Sequence, residues 1–339
     1  MTGRLRVAVV GCGAVSAVVG ERGYGALRES VELVAAIDLR IERARAVAEQ
    51  TGARPYESLA QALRDEEIDA VDVRVPHRAH AAVAAEAIAA GKHVMVDKPM
   101  ATSLDDARSL VSTAAAAGVV LSVAENYTFY EPVLAAAREL ADGTIGELVA
   151  VRTHRVAYLD DVWLADGWRL DRDAGGGVLL DQGCHFTNIL RRTVGEIEAV
   201  QAFVSTRAPR WRADDSAVVN CRFAGGLIGQ QLYTFASATP AFGAEAYFYG
   251  TAGSLEIHTG YVEPTGGLVR YTPEHPDGEW LDTGRIYDET FAPTIDDWVR
   301  ACRGEQAPTM SGDEGLRDLA VVLAAYRSVQ TGSVEPVVT

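Results

Sequence analysis

A chain of 339 residues is long enough for two domains that each bury a core, and its 48% hydrophobic and 23% charged residues are the make-up of an ordinary globular protein. A formal net charge of -16 argues against nucleic acid or an anionic membrane surface as a partner. Cys12, Cys184, Cys221 and Cys302 are scattered without a CxxC pair, which excludes a disulfide framework or a zinc site and suits a reducing cytoplasm.

The first residues, MTGRLRVAVVGCGAVSAVVG, superficially resemble a signal peptide, but Gly11 and Gly13 break the uncharged run. Leu5 to Val10 instead reads as a strand buried on both faces, because it is a continuous apolar run ending in glycine. Leu33 to Ile37, ending at Asp38, is a second such strand. Ile41 to Gln50 has helical periodicity until Gly52 stops it. Ala70 to Val75 is a third strand, terminated by Pro76. Ala79 to Ala90 is helical and closed by Gly91, and His93 to Val96 makes a fourth strand. Leu104 to Ala117 is helical as far as Gly118, and Val119 to Val123 is a fifth strand. Strands alternating with helices at this spacing predict an α/β domain with a parallel, doubly wound sheet over residues 1–124.

From residue 125 the texture changes. A helix over Pro132 to Ala141 leads into β-rich segments at Val149 to Val156, Glu198 to Ser205, Ala217 to Phe223, Gly229 to Phe235 and Ala246 to Tyr249. Several alternate apolar and polar residues, as strands covered on one face do. They predict a second, α+β domain over residues 125–339, built on a large, mostly antiparallel open sheet. Its last helices are expected within about 291–331, at Thr294 to Cys302 and Glu314 to Val329. A sheet face left uncovered by the first domain predicts a homodimer or homotetramer. No apolar run reaches transmembrane length.

Gly11-Cys12-Gly13-Ala14-Val15-Ser16 follows the first strand. The first glycine permits a tight turn, and the second lets the backbone approach a pyrophosphate at the next helix N-terminus. Ser16 departs from the dinucleotide fingerprint, which has Gly or Ala there. Asp38, 27 residues after Gly11, is placed to bind ribose hydroxyls, and its charge would repel a 2′-phosphate. NAD is therefore the expected cofactor, with NADP left open because Arg40 stands two residues on. Lys98 leaves the fourth strand at its carboxyl end, where ligands bind in such sheets, and Pro99 follows it. In Val178 to Leu190, Asp181, His185 and Asn188 fall within an arc of roughly 60° on a helix otherwise almost wholly apolar. That stripe meets either a hydrogen-bond network or a cavity. His77 and His80 lack a carboxylate or cysteine partner at helical spacing, so no metal is expected.

In this order and spacing the motifs resemble the Gfo/Idh/MocA family (glucose–fructose oxidoreductase, inositol dehydrogenase) along nearly the whole chain. Asp97-Lys98-Pro99 is similar to its Glu-Lys-Pro motif, and Val75-Pro76-His77-Arg78-Ala79-His80 to its Thr-Pro-Asn-x-x-His motif. Glu125-Asn126 resembles the turn opening its second domain. Gly175-Gly176-Gly177 with Asp181 and His185 resembles its glycine run and Asp-x-Gly-x-His, and Ser311 to Gly315 the start of its last helix. The resemblance implies Lys98, Asp181 and His185 as the catalytic group, facing a cleft between domains, with the glycine run letting the chain approach the nicotinamide. Gly11, Gly13, Ala14, Val15, Asp38, Arg40, Pro76, His77, His80, Asp97, Lys98 and Asn126 are the expected cofactor-binding residues. Asn188 stands where many relatives carry Asp.

The family chemistry is hydride transfer between nicotinamide and a secondary hydroxyl of a sugar or cyclitol. His185 suits proton removal near neutrality, and Lys98 suits stabilisation of the oxygen; the opposite assignment stays open. Tyr158 to Arg169 (YLDDVWLADGWR) offers Asp160, Asp161, Asp166 and two tryptophans, a loop able to border the pocket and hold an amino sugar. Asn126, Tyr158, Trp168, Arg169 and Asn188 are the expected substrate contacts. Two other classes remain: a redox-neutral enzyme retaining its NAD, and a dinucleotide-sensing regulator.

Overall fold

The computed structural model describes residues 3–159, 161–239, 243–259, 266–281, 283 and 287–339. It divides into two compact units, 1–125 with 291–319, and 126–290 with 320–339. The expected boundary put everything after residue 124 in the second domain. Instead, the helix over Phe291–Cys302 belongs to the first unit. Ile295, Trp298, Val299 and Cys302 join Leu5, Val7, Val31 and Met95 in one buried cluster. Nothing local to the helix announces which core its apolar face will enter.

In chain order the first unit contains β1 (Leu5–Val10), α1 (Ala14–Arg22), β2 (Val31–Ile37), α2 (Ile41–Thr51), β3 (Arg54–Tyr56), α3 (Leu59–Asp65), β4 (Ala70–Val73), α4 (His77–Ala89), β5 (His93–Asp97), α5 (Leu104–Ala117) and β6 (Leu121–Ala124). The strands are parallel in the order β3-β2-β1-β4-β5-β6. The order reverses between β1 and β4, which is where such sheets open a crevice for a ligand. β3 and α3 were not expected, because ARPY is too short and mixed to show a period.

The second unit runs through α6 (Glu131–Ala141), β7 (Leu148–Val156), α7 (Asp161–Leu164), α8 (Val178–Thr193), β8 (Ile197–Ser205), β9 (Ser216–Phe223), β10 (Ile228–Thr234), β11 (Ala246–Gly250), β12 (Ser254–His258), β13 (Gly267–Tyr271) and β14 (Glu279–Leu281). After α9 (Phe291–Cys302), helix α10 (Gly312–Thr331) carries the division between units, and β15 (Glu335–Pro336) closes the chain. Among the described residues nine strands lie in the order β14-β13-β12-β11-β7-β10-β9-β8-β15, antiparallel except for β7 with β10. Alternate residues face opposite ways. Val151, Thr153, Val219, Cys221, Tyr233, Phe248, Leu255 and Ile257 share the buried side, against which α6 and α8 pack. No helix among the described residues is long and apolar enough to cross a membrane.

α8 enters this unit without a side chain of its own to cap it, since Gly177 precedes it at φ 117°. Asp214 supplies the cap from elsewhere in the unit. Its Oδ2 accepts from the Leu179 amide at 2.9 Å, and its backbone carbonyl accepts from the Val178 amide at 2.8 Å. The Tyr326 hydroxyl donates to Oδ1 at 2.9 Å. A Cβ on Gly177 would lie 2.6 Å from Asp214 Oδ1, and one on Gly176 would run into the Arg169 carbonyl. The close approach these glycines permit is therefore to the chain itself.

Asp214→Ala is expected to destabilise the unit by about 1–2 kcal/mol through loss of this cap, measured by urea unfolding. Burial raises the Asp214 carboxyl above its ordinary range, against the pull of its hydrogen bonds. The folded state thus keeps this proton to higher pH than the unfolded one, and the carboxyl's contribution falls as pH rises between the two values. Asp214→Asn should flatten that slope; an unchanged slope would refute the assignment.

Candidate active site

β1 delivers Gly11 at φ 95°, with its amide on the Ile37 carbonyl at 2.7 Å. A Cβ there would lie 2.5 Å from the Arg74 carbonyl, so glycine is required by the neighbouring strand end. Gly13 caps α1 without a side-chain hydrogen bond, and a Cβ on it would meet only the Arg43 guanidinium, at 4.0 Å. The opening of α1, at Ala14 and Val15, therefore keeps its amide dipoles for an anion. Ser16, the departure from the fingerprint, is buried and turns its hydroxyl back onto the Gly11 carbonyl.

Asp38 accepts from the Cys12 amide through Oδ2 and from the Arg40 amide through Oδ1, each at 2.9 Å. The carboxylate is thereby locked beside the glycine turn, with lone pairs left for ribose hydroxyls. Burial pushes the Cys12 thiol up to about 12, so it stays protonated and is no nucleophile. Arg40 is exposed, and Arg43 on α2 reaches Gly13. The sequence reading missed Arg43; its place on the first turn after Asp38 was the available signal. These residues fit a dinucleotide: a bare helix N-terminus for the pyrophosphate and an anchored carboxylate for the ribose.

At the end of β5, Asp97 Oδ1 accepts from the Lys98 amide at 2.9 Å, and Arg74 lies 3.8 Å from Oδ2. Arg74 also donates to Asp72 at 2.9 Å, whose other oxygen accepts from Tyr24 at 2.8 Å. Burial raises the Asp72 carboxyl, with Arg74 and Tyr24 pulling it down. This ties the ends of β4 and β5 together beneath the glycine turn. Pro76 precedes α4, whose His77 and His80 are buried with ring centroids 5.5 Å apart. Each His80 nitrogen lies 2.7 Å from a backbone carbonyl, Pro99's and Val75's, so neither is left to ligate a metal. Burial draws the His80 imidazole below its ordinary value, and Asp97 with the two carbonyls opposes this.

On α8 the expected stripe divides. Asp181 and His185 are 6% and 7% exposed, whereas Asn188 is fully buried and accepts from the Thr128 hydroxyl at 2.9 Å. The Asn188 amide is thus part of the interior, unlike the expected substrate contact. Asn126 likewise donates to the Thr290 hydroxyl at 2.7 Å. Arg169 Nε donates to Asp181 Oδ2 at 3.3 Å and Nη1 to the Trp163 carbonyl at 2.9 Å. Its guanidinium lies 4.2 Å from the Trp168 ring centroid and 5.6 Å from that of Trp163. This places an aromatic face and a cation beside Asp181. The Tyr127 ring lies 4.8 Å from that of His185.

In the loop ahead of the glycine run, Tyr158 is 55% exposed and Asp161 pairs with Arg210 at 3.0 Å. Asp160 lies outside the described residues. Tyr127, Arg155 and Glu245, packed behind His185, also escaped the sequence reading. A charged Arg155 on the inward parity of β7 was the signal for them.

Two family models match the chain. Residues 5–125 match "Oxidoreductase family, NAD-binding Rossmann fold", and residues 133–256 match "GFO/IDH/MocA C-terminal domain". The chain is 31% identical to 1,5-anhydro-D-fructose reductase of Ensifer adhaerens over 96% of its own length and 97% of that protein. Among solved structures it is similar to WlbA dehydrogenase of Bordetella pertussis in complex with NADH and UDP-GlcNAcA, with a TM-score of 0.87, 25% identity, and coverage of 100% and 99% of the two chains. It is also similar to GenD2 from gentamicin A biosynthesis in complex with NAD, with a TM-score of 0.84, 28% identity and coverage of 100% and 98%.

Asp38→Asn keeps an acceptor for the Cys12 amide while removing the charge that repels a 2′-phosphate. The ratio of kcat/KM with NAD to that with NADP is expected to fall about tenfold, roughly 1.4 kcal/mol. An unchanged ratio would remove Asp38 from cofactor selection.

Proposed function

The chain belongs to the Gfo/Idh/MocA family of oxidoreductases, and from that premise we propose an NAD(P)-dependent dehydrogenase or ketoreductase acting on a secondary hydroxyl of a sugar, cyclitol or amino-sugar derivative. The observation that carries the reading is Asp181 and His185 one turn apart, nearly buried, on a helix whose remaining faces are core. An ionisable pair is not buried so without partners or a task. The likeness to WlbA dehydrogenase in complex with UDP-GlcNAcA, an N-acetylated amino-sugar derivative, keeps that class of substrate in view. The four free, buried cysteines suit work in the cytoplasm.

When bound, the nicotinamide supplies the hydride acceptor or donor. The amides at Gly13, Ala14 and Val15 would hold its pyrophosphate, Asp38 its adenosine ribose, and Pro76 and His77 would border the nicotinamide. Lys98, set by Asp97 at the end of β5, would hydrogen-bond the reacting oxygen and stabilise its developing negative charge. His185 would take the hydroxyl proton. Arg169 restrains Asp181 and, with Trp168, would present a stacking face and hydrogen-bond donors to the sugar ring.

The outward face of the nine-stranded sheet supports self-association. Phe203, Ile228, Trp280 and Tyr249 are 66%, 61%, 48% and 40% exposed, and the strand register puts all four on one side. We assign that face to a second copy of the chain, in a homodimer or homotetramer.

A screen of sugars, cyclitols and amino sugars with NAD and NADP, read by nicotinamide absorbance, tests the activity. Lys98→Met and His185→Ala are expected to lower kcat on the order of 10²–10⁴-fold while retaining NAD binding. For oxidation, kcat/KM should fall on the acid side, where a protonated base cannot take the hydroxyl proton, and His185→Ala should abolish that limb. Persistence of the limb would move the base to Lys98. Sedimentation should give an oligomer that Phe203→Glu with Ile228→Lys converts to monomer; a wild-type monomer at micromolar concentration would overturn the interface.

A further inference from the structure

We propose that Tyr127 is a positioning residue for His185, and that the buried Arg155–Glu245 pair exists to hold it. The proposal rests on His185 as the proton acceptor. Tyr127 lies in the short 3-10 turn Asn126–Phe129 and is 1% exposed. Besides the His185 ring, inclined at 55°, its ring meets those of Tyr287 at 5.4 Å, Phe186 at 6.1 Å and Tyr130 at 6.1 Å. Its hydroxyl accepts a hydrogen bond from Arg155 Nη2. Arg155 in turn pairs with Glu245 through Nη1 and Oε1 at 2.7 Å, with its guanidinium 5.6 Å from the Phe186 ring.

Packing alone explains none of the polar atoms in this chain of contacts. A phenylalanine would fill the same space among the rings. An ion pair with both side chains under a tenth exposed is no more stable than apolar residues of the same volume. What the pair adds is direction: a planar guanidinium in ion-pair contact with Glu245 donates to the phenol from one side and so sets the wall against which the imidazole stands. One turn further along α8, the Thr128 hydroxyl donates to Asn188 at 2.9 Å. The turn is therefore registered on the helix twice, by a ring at His185 and by a hydrogen bond at Asn188. An imidazole allowed to swing carries its proton-accepting nitrogen by about 1 Å, enough to slow the reaction by one to two orders of magnitude.

Tyr127→Phe keeps the aromatic ring and deletes the hydroxyl to which Arg155 donates. It is expected to fold, to lower kcat about tenfold with KM for the cofactor unchanged, and to move the His185 Cε1–H resonance while other histidine signals stay. Arg155→Lys should act through the same link, so Tyr127→Phe/Arg155→Lys should be no slower than Arg155→Lys alone. Wild-type kcat with an unmoved His185 resonance in Tyr127→Phe, or losses that multiply in the double variant, would overturn the proposal. Wild-type protein inactive on every sugar would refute the proposed function instead, and the resonance arm would then decide the positioning role by itself.

Discussion

Burying Asp181 and His185 one turn apart on a helix whose other sides are largely core is the constraint on which the second unit depends. Removing a carboxylate and an imidazole from water is unfavourable unless each meets a suitable neighbour. α8 meets the demand from three directions. Asp214 fixes the start of the helix, Arg169 engages Asp181, and Tyr127 stands against His185. Each neighbour needs a support of its own: Gly176 and Gly177 for close approach, Trp168 under the guanidinium, Arg155 and Glu245 behind the phenol. The helix is thus specified by residues spread over more than a hundred positions of chain.

The first unit solves a different problem, that of keeping a backbone turn open to an anion. Gly11 must be glycine because the end of β4 passes against it, whereas Gly13 leaves space on the side away from the chain. Beneath the turn, Tyr24, Asp72, Arg74 and Asp97 form a nearly buried polar cluster. Mutual pairing lets these groups lie there, and it joins the strand end carrying Lys98 to the one carrying His77. Asp97 in place of the family's Glu is shorter by one methylene, and Arg74 is the long side chain that approaches it.

Much of this architecture was legible in the chain. β1, α5 and the strands β7 to β11 lie within one or two residues of the expected segments, because continuous or alternating apolar runs bounded by glycine and proline report burial directly. β12 and β13 had no such clarity; SLEIH and GLVRY are short, and their pairing partners define them. Asn188 was read correctly as sharing a face with Asp181 and His185, but shared angle does not mean shared depth. The partner at Thr128, sixty residues away, puts it in the interior.

Read alone, the chain was enough for the α/β and α+β plan and for the dinucleotide turn with its acidic residue. These follow from periods and spacings that act over a few turns of chain. It took the folded chain to show that α9 belongs to the first unit's core, that Gly176 and Gly177 serve the chain's own close approaches, and that Tyr127, Arg155 and Glu245 stand behind His185. Such contacts join positions tens to hundreds of residues apart. Their energy comes from a fit in space that no local pattern encodes.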